Sequence, residues 1–412
     1  MQRYSKHLNA GWVLGATLVA VGCGDAPEAQ GASQSASIGS AETSGASASD
    51  TDATASVTDG ADSSSSSTGE SDSMTAGSSS SGGAEESSSG GPSCEQAGHQ
   101  FMLEPSPPNV MLVLDKSRSM SNVWDHDNDP NTPEISRWNS LYNVVEALTA
   151  DFGDRIHFGA QLFPSADAYL DEPTNVFSCL VNPDPEVAVG AGTGPAILAA
   201  MPPAGDFSIS GGTPTTAGLQ SALAHLTAID GDAPRAILLI TDGAANCSPD
   251  EAPEDTLFVY DEAVPATVAS AFEDHAIPTY VVGINILDEL GTKPAVNPYE
   301  ALTTVSDAGG VPAQGADNFY NNFNEIELTA ALEAVANKIE CTVSLPDEPQ
   351  YPDLVGVAVD GDSWAQVDDC KSGDGWAYTS AVGPFNALQL CGAACEQLQG
   401  GGTVQVDYNC PE

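Results

Sequence analysis

Two kinds of pattern alternate along the chain from Asn109 onward. Short, almost unbroken apolar runs recur as NVMLVLD from Asn109, RIHFGAQLF from Arg155, RAILLITD from Arg235 and PTYVVGI from Pro278. Between and after them apolar residues return every three or four positions: WNSLYNVVEALTADF from Trp138, TTAGLQSALAHL from Thr215, VPATVASAFEDH from Val264, and segments over 299–307 and 328–340. The first pattern predicts strands and the second helices. Strand and helix in alternation predict a parallel sheet with helices on both faces, and runs such as MLVL and AILLI suit strands buried on both sides. The fold class expected is therefore α/β, a doubly wound Rossmann-like sheet. In such sheets ligands bind at the carboxyl ends of the strands, where the polar residues after Leu114 and Ile240 fall.

Two regions depart from this rhythm. Residues 165–210 are rich in Pro, Gly and Asp and read as an insertion or long loop. After Cys341 short alternating segments (LVGVAVD, GWAYTS, TVQVDY) appear among four more cysteines, which predicts a small all-β, disulfide-rich appendage over 342–412.

The first ninety or so residues cannot build a core at all. A basic start (Arg3, Lys6), an apolar stretch over 8–21 and Val21-Gly22-Cys23 read as a secretory signal over 1–23, too short and too interrupted by glycine to span a membrane. The segment resembles a bacterial lipobox with Cys23 as the acylated residue, although Ala20 stands where leucine is favoured. That resemblance implies a lipid-anchored protein of the bacterial cell envelope, at the outer membrane or cell surface. Residues 24–93, composed largely of Ser, Gly, Ala, Thr and Asp without Lys, Arg or aromatics, read as a disordered acidic tether.

Charge narrows the partners. With 58 acidic residues against 10 basic ones, a formal net charge of −48, the chain cannot assemble a basic surface for nucleic acid or for an anionic lipid surface. With Cys23 set aside, Cys94, Cys179, Cys247, Cys341, Cys370, Cys391, Cys395 and Cys410 form an even set, which in an exported chain reads as disulfides.

Candidate chemistry lies in three loops. Asp115, Ser117 and Ser119 put a carboxylate and two hydroxyls at alternate positions after the first strand; Thr213 lies in GGTPTTAGL before a helix; Asp242 ends the most apolar strand. Oxygen donors without soft partners suit Mg2+, Mn2+ or Ca2+. Asp-x-Ser-x-Ser alone is a weak signal, but the three loops in this order, over about 109–340, resemble the von Willebrand factor A family. The resemblance implies a vWA domain over 94–341 and a metal-ion-dependent adhesion site, in which Ser117, Ser119 and Thr213 offer hydroxyls while Asp115 and Asp242 bind directly or through water. It further implies an open coordination position that a carboxylate from a protein or glycan partner completes. Arg118 and Lys116 beside the site either steer such a ligand or stand as solvated loop charges, and Thr215 and Thr216 read as caps of the following helix. The resemblance also favours disulfides Cys94 to Cys341, where the ends of the fold meet, and Cys179 to Cys247, leaving three connectivities for Cys370, Cys391, Cys395 and Cys410.

Residues 125–134, with Asp125, Asp127, Asp129 and Glu134, look like a calcium loop, but Pro130 replaces the required glycine and Ser136 the closing glutamate. A solvated acidic loop is the reading, with a second Ca2+ left open. Against adhesion stand an Mg-dependent phosphotransferase of the haloacid dehalogenase type, which needs a second Asp where Ser117 stands, and a non-adhesive envelope scaffold. The expected protein is not an enzyme.

Overall fold

A computed structural model describes residues 94–411, Ala97 excepted; the signal segment, Cys23 and the tether over 24–93 lie outside the described residues. In chain order the elements are β1 (His99–Leu103), β2 (Asn109–Asp115), the short hairpin β3 (Val123–Trp124) and β4 (Ile135–Ser136), α1 (Arg137–Phe152), β5 (His157–Phe163), β6 (Val187–Gly190), α2 (Gly194–Ala200), α3 (Thr215–Thr227), β7 (Arg235–Thr241), α4 (Ala263–His275), β8 (Thr279–Ile284), α5 (Pro298–Ala308), β9 (Tyr320–Asn322) and α6 (Glu325–Glu340). The remainder comprises β10 (Thr342–Ser344), β11 (Val355–Val359), β12 (Asp362–Trp364), β13 (Gly375–Tyr378), β14 (Ala387–Cys391), α7 (Ala393–Gln399) and β15 (Val404–Tyr408).

A six-stranded sheet in the order β6-β5-β2-β7-β8-β9 forms the main layer, parallel except for β6. Every residue of β2 is buried, and its side chains alternate between two cores. Val110, Leu112 and Leu114 meet Trp138, Leu141 and Val145 of α1 and Leu332 and Val335 of α6; Met111 and Val113 meet Leu219 of α3, Val268 of α4 and Leu302 of α5. This is the doubly wound α/β fold that the unbroken apolar runs called for. Helix starts are set by side chains that take otherwise unpaired N–H groups: Ser136 accepts from Asn139 at α1 and Asn324 from Glu327 at α6. Because β5 lies on one side of β2 and β7 on the other, the strand order reverses at β2, and the carboxyl ends of β2 and β7 flank the crevice.

Residues 165–210 are more than a loop, since they hold β6, an antiparallel edge strand on β5, and α2, whose Ile197 is buried in the α1 core. The C-terminal unit also differs from an all-β appendage. Two antiparallel sheets, β1-β15-β11-β12 and β10-β14-β13, close with α7 over a core of Val357, Val359, Trp376, Leu390, Leu398 and Val406. Its edge strand β1 comes from ahead of the α/β layer, so the expected boundary at residue 94 does not hold: Phe101 and Leu103 pack on the C-terminal core, and the α/β layer begins at Asn109.

The bridges follow from that strand. β1 runs antiparallel to β15 with His99 opposite Tyr408, which brings Cys94 to Cys410 rather than to Cys341. Cys341, at the end of α6, instead meets Cys395 of α7, Cys370 pairs with Cys391, and Cys179 pairs with Cys247 as expected.

One half-buried charge carries a testable cost. The Lys338 ammonium lies 5.4 Å from the centre of the Tyr280 ring, and burial, then the neighbouring Lys371, push it down to about 8. A lysine depressed in the fold opposes folding fully at neutral pH, and the opposition fades as pH rises from about 8 towards 10.5. Lys338→Met is therefore expected to stabilise the protein by roughly 2 kcal/mol at pH 7, with little gain left near pH 10.5. Denaturant melts at the two pH values check it; an equal effect at both would reject burial of charge as the cause.

Candidate metal centre

β2 delivers Asp115 as its last residue, with no exposure, and the turn that follows is anchored by fully buried Met120. The Asp115 carboxylate is held from two loops: Oδ1 accepts the Ser117 N–H at 2.7 Å and Oδ2 the Thr241 hydroxyl at 2.6 Å. The hydroxyls of Ser117 and Ser119 lie 2.8 Å apart, and Ser119 donates to Asp242 Oδ1 at 2.6 Å. Asp115, Ser117, Ser119 and Asp242 therefore form one connected group at the crevice.

Thr213 sits on the adjoining second loop. Its N–H donates to Asn246 Oδ1 at 2.7 Å and its carbonyl accepts the Asn246 N–H at 3.0 Å, so the second and third loops are stitched as a strand pair would be. Its hydroxyl makes no hydrogen bond among the described residues, and the side chain is nearly buried. The Arg118 N–H to the Gly211 carbonyl, 3.2 Å, joins the first loop to the second. Gly211 has φ +119°, and a Cβ there would lie 2.6 Å from Pro164 Cγ; one at Gly212 would lie 2.6 Å from Cys247 Sγ. Only glycine lets the loops pass so closely.

The cations differ from the sequence reading. Lys116 is neither a steering charge nor a solvated one: it is buried, donates to the carbonyls of Ser210 (3.0 Å) and Ala168 (3.4 Å), and is pushed down to about 8 by burial. Arg118 is exposed. The guanidinium in contact with the site is that of Arg137, at the start of α1, whose Nη1 donates to Asp242 Oδ2 at 2.7 Å. Neither Arg137 nor Asn246 belongs to the Asp, Ser and Thr pattern; the scarcity of cations in so acidic a chain was the available signal for the first, and none existed for the second. Thr215 and Thr216 do not cap α3, which starts at Thr215 itself. In the acidic loop Asp127 accepts from Thr132 and from the Asp129 N–H, and Asp129 from the Asn131 N–H; among the described residues no group of three or more His, Cys, Asp or Glu side chains is placed to hold a metal.

Two carboxylates meet at the three-loop centre. Burial, then the charge of Asp242, push Asp115 up to about 7, against the lowering effect of its hydrogen bonds from Ser117 and Thr241. Asp242 has Arg137, whereas no cation bonds to Asp115 among the described residues. Two carboxylates, two paired hydroxyls and the uncommitted Thr213 hydroxyl are hard oxygen donors and fit Mg2+, Mn2+ or Ca2+. Beside Ser117 and Ser119 opens a cavity of about 350 Å³ that carries Arg118 and Lys293 among its lining residues.

No family model matches the chain, and no curated protein matches it. Among solved structures it is similar to the pilus adhesin SpaC of Lactobacillus rhamnosus GG in its open conformation, at TM-score 0.41 and 17% identity over 74% of this chain and 39% of SpaC. It is also similar to the vWF domain of the type V pili tip protein Mfa5 of Porphyromonas gingivalis (TM-score 0.36, 12% identity, 57% of this chain and 95% of that one). A third similar structure is a von Willebrand factor type A protein of Catenulispora acidiphila (TM-score 0.36, 13% identity, 78% and 67%).

Proposed function

We propose that this chain is a vWA-type adhesion module of the bacterial envelope, tethered through acylated Cys23, that captures a carboxylate of a protein partner through a divalent cation held by Asp115, Ser117, Ser119, Thr213 and Asp242. The observation that carries the reading is the linkage of four hard oxygen donors, Asp115, Ser117, Ser119 and Asp242, at the strand-order reversal, with Thr213 on the adjoining loop and no cation bonded to the buried Asp115 among the described residues. A divalent ion there would supply positive charge to an incoming carboxylate. Arg118 is exposed beside Ser117 and Ser119 in the cavity, whereas Lys293 there is paired with Glu172 and Arg137 with Asp242; Arg118 is the cation that supports an acidic ligand.

Exposed apolar side chains on neighbouring loops support a protein ligand. Tyr169 stacked on Phe177, with Phe258, Leu290 and Phe323, stands exposed on the segments that follow β5, β7, β8 and β9. Exposed aromatic and aliphatic groups around a polar centre are the composition of a protein contact. The phosphotransferase alternative is weakened on two counts. Ser117 occupies the position of its general acid, and both Asp115 oxygens are already engaged, which leaves a poor nucleophile. Among the described residues no helix is long and apolar enough to cross a membrane, so attachment in this reading rests on Cys23.

Capture of envelope or matrix proteins by the immobilised mature chain is expected to require Mg2+ or Mn2+ and to be reversed by a chelator. Retention that ignores the chelator would sink the metal-dependent reading, and phosphate release from small phosphoesters would favour the enzyme.

A further inference from the structure

Arg137 stands at the metal centre although no oxygen-donor pattern calls for it. Its Nη1 lies 2.7 Å from Asp242 Oδ2, the Asp242 side chain is fully buried and that of Arg137 is 14% exposed. The other oxygen of Asp242 takes the Ser119 hydroxyl. Arg137 Nε is buried with no partner, so the guanidinium is held there by Asp242 alone among the described residues. Its backbone is fixed independently: Arg137 N–H donates to the Asn122 carbonyl at 3.0 Å, where the short hairpin runs into α1. A charged side chain is thus carried to a buried carboxylate by a backbone that has its own hydrogen bond to Asn122.

We infer that Arg137 is a resident counter-cation that weakens the hold of the site on its metal and strengthens its hold on an anionic ligand, an inference that rests on the metal-binding reading above. The reason is charge balance. Asp115 and Asp242 together neutralise one divalent cation; Arg137 adds one positive charge to the loaded cluster, and Lys116 beside Asp115 is the same in wild type and variants. A buried cation repels another cation and attracts an anion at the same position, so the two affinities must move in opposite directions when the arginine is neutralised. In the metal-free protein the same residue covers Asp242 and limits like-charge repulsion with Asp115, which favours a stable empty centre.

The test titrates Mn2+ into metal-free wild-type protein, Arg137→Gln, Arg137→Met and Arg137→Lys by calorimetry. Acetate binding to the Mn2+-loaded forms is then followed through water-proton relaxation. Both neutral variants are expected to bind Mn2+ about tenfold more tightly and acetate several-fold more weakly, with Arg137→Lys close to wild type. Arg137→Met keeps an unbranched apolar stem for packing, which serves if the glutamine variant does not fold. A merely structural role would weaken Mn2+ and acetate together, and that result, or unchanged Mn2+ affinity, overturns the inference while leaving the metal site standing. Absence of Mn2+ binding to wild type overturns the metal reading and this inference with it.

Discussion

Asp115→Asn is expected to lower affinity for Mn2+ or Mg2+ by roughly 100-fold or more, since loss of even an outer-shell partner costs 10–100-fold. The same change should leave the metal-free protein at least as stable as wild type above neutral pH. Asparagine keeps the shape, its carbonyl can accept the Ser117 N–H, and its amide can donate to the Thr241 hydroxyl, which has the Gly243 carbonyl 3.2 Å away as an alternative acceptor. What is removed is a carboxylate that burial and Asp242 push up to about 7. A group raised in the fold holds its proton more tightly there than in the unfolded chain. Metal-free wild type therefore loses stability as pH climbs from about 4 through 7, and the variant does not share that loss. Melting of the two metal-free proteins at pH 5 and pH 8 should show the variant ahead at the higher pH. Undiminished metal affinity in Asp115→Asn would remove Asp115 from the centre.

The α/β layer was legible because a strand buried on both faces leaves no polar alternation to misread: NVMLVLD became β2 residue for residue. The grouping of Asp115 with Asp242 was legible for a related reason. Short polar residues that directly follow such a strand fall at the carboxyl edge, and Asp115 and Asp242 end up joined there through Ser119 and Thr241.

What was not legible depended on contacts between distant segments. HQFML is too short and too exposed to declare its sheet, and only pairing with Val404–Tyr408 assigns it to the C-terminal unit. The disulfide reading failed with it, because Cys94 follows the strand it precedes. Lys116 was misplaced because sequence shows its position in the metal loop but not the carbonyls of Ala168 and Ser210 that draw it inward. Asn246 acts through both backbone and side chain on Thr213, 33 positions earlier, and no local signal marks such a residue.

Loss of the Cys94–Cys410 bridge is expected to cost about 4 kcal/mol, by the chain entropy released when a closure of 316 residues is opened. The simple estimate is larger, roughly 5–6 kcal/mol even with the loop shortened by Cys179–Cys247 and Cys341–Cys395, and bridges usually deliver less than that estimate. The cost should be local in its first stage. β1 is an edge strand paired only with β15, and its start at His99 faces the end of β15 at Tyr408. In the proposed tethered form, load from a captured partner enters the folded unit at Cys94. Without the bridge, that load would open the β1–β15 pair from the His99 end one residue at a time, the weakest direction for a two-strand ladder. With it, the pull is shared by both strands from the outset. The double variant Cys94→Ser/Cys410→Ser should therefore melt lower, and amide exchange over residues 99–103 should accelerate well beyond that of β2. Force spectroscopy from the N-terminus should show an early detachment that the oxidised wild type lacks. Equal melting and equal protection of residues 99–103 would mean that Phe101 and Leu103 hold β1 without the bridge.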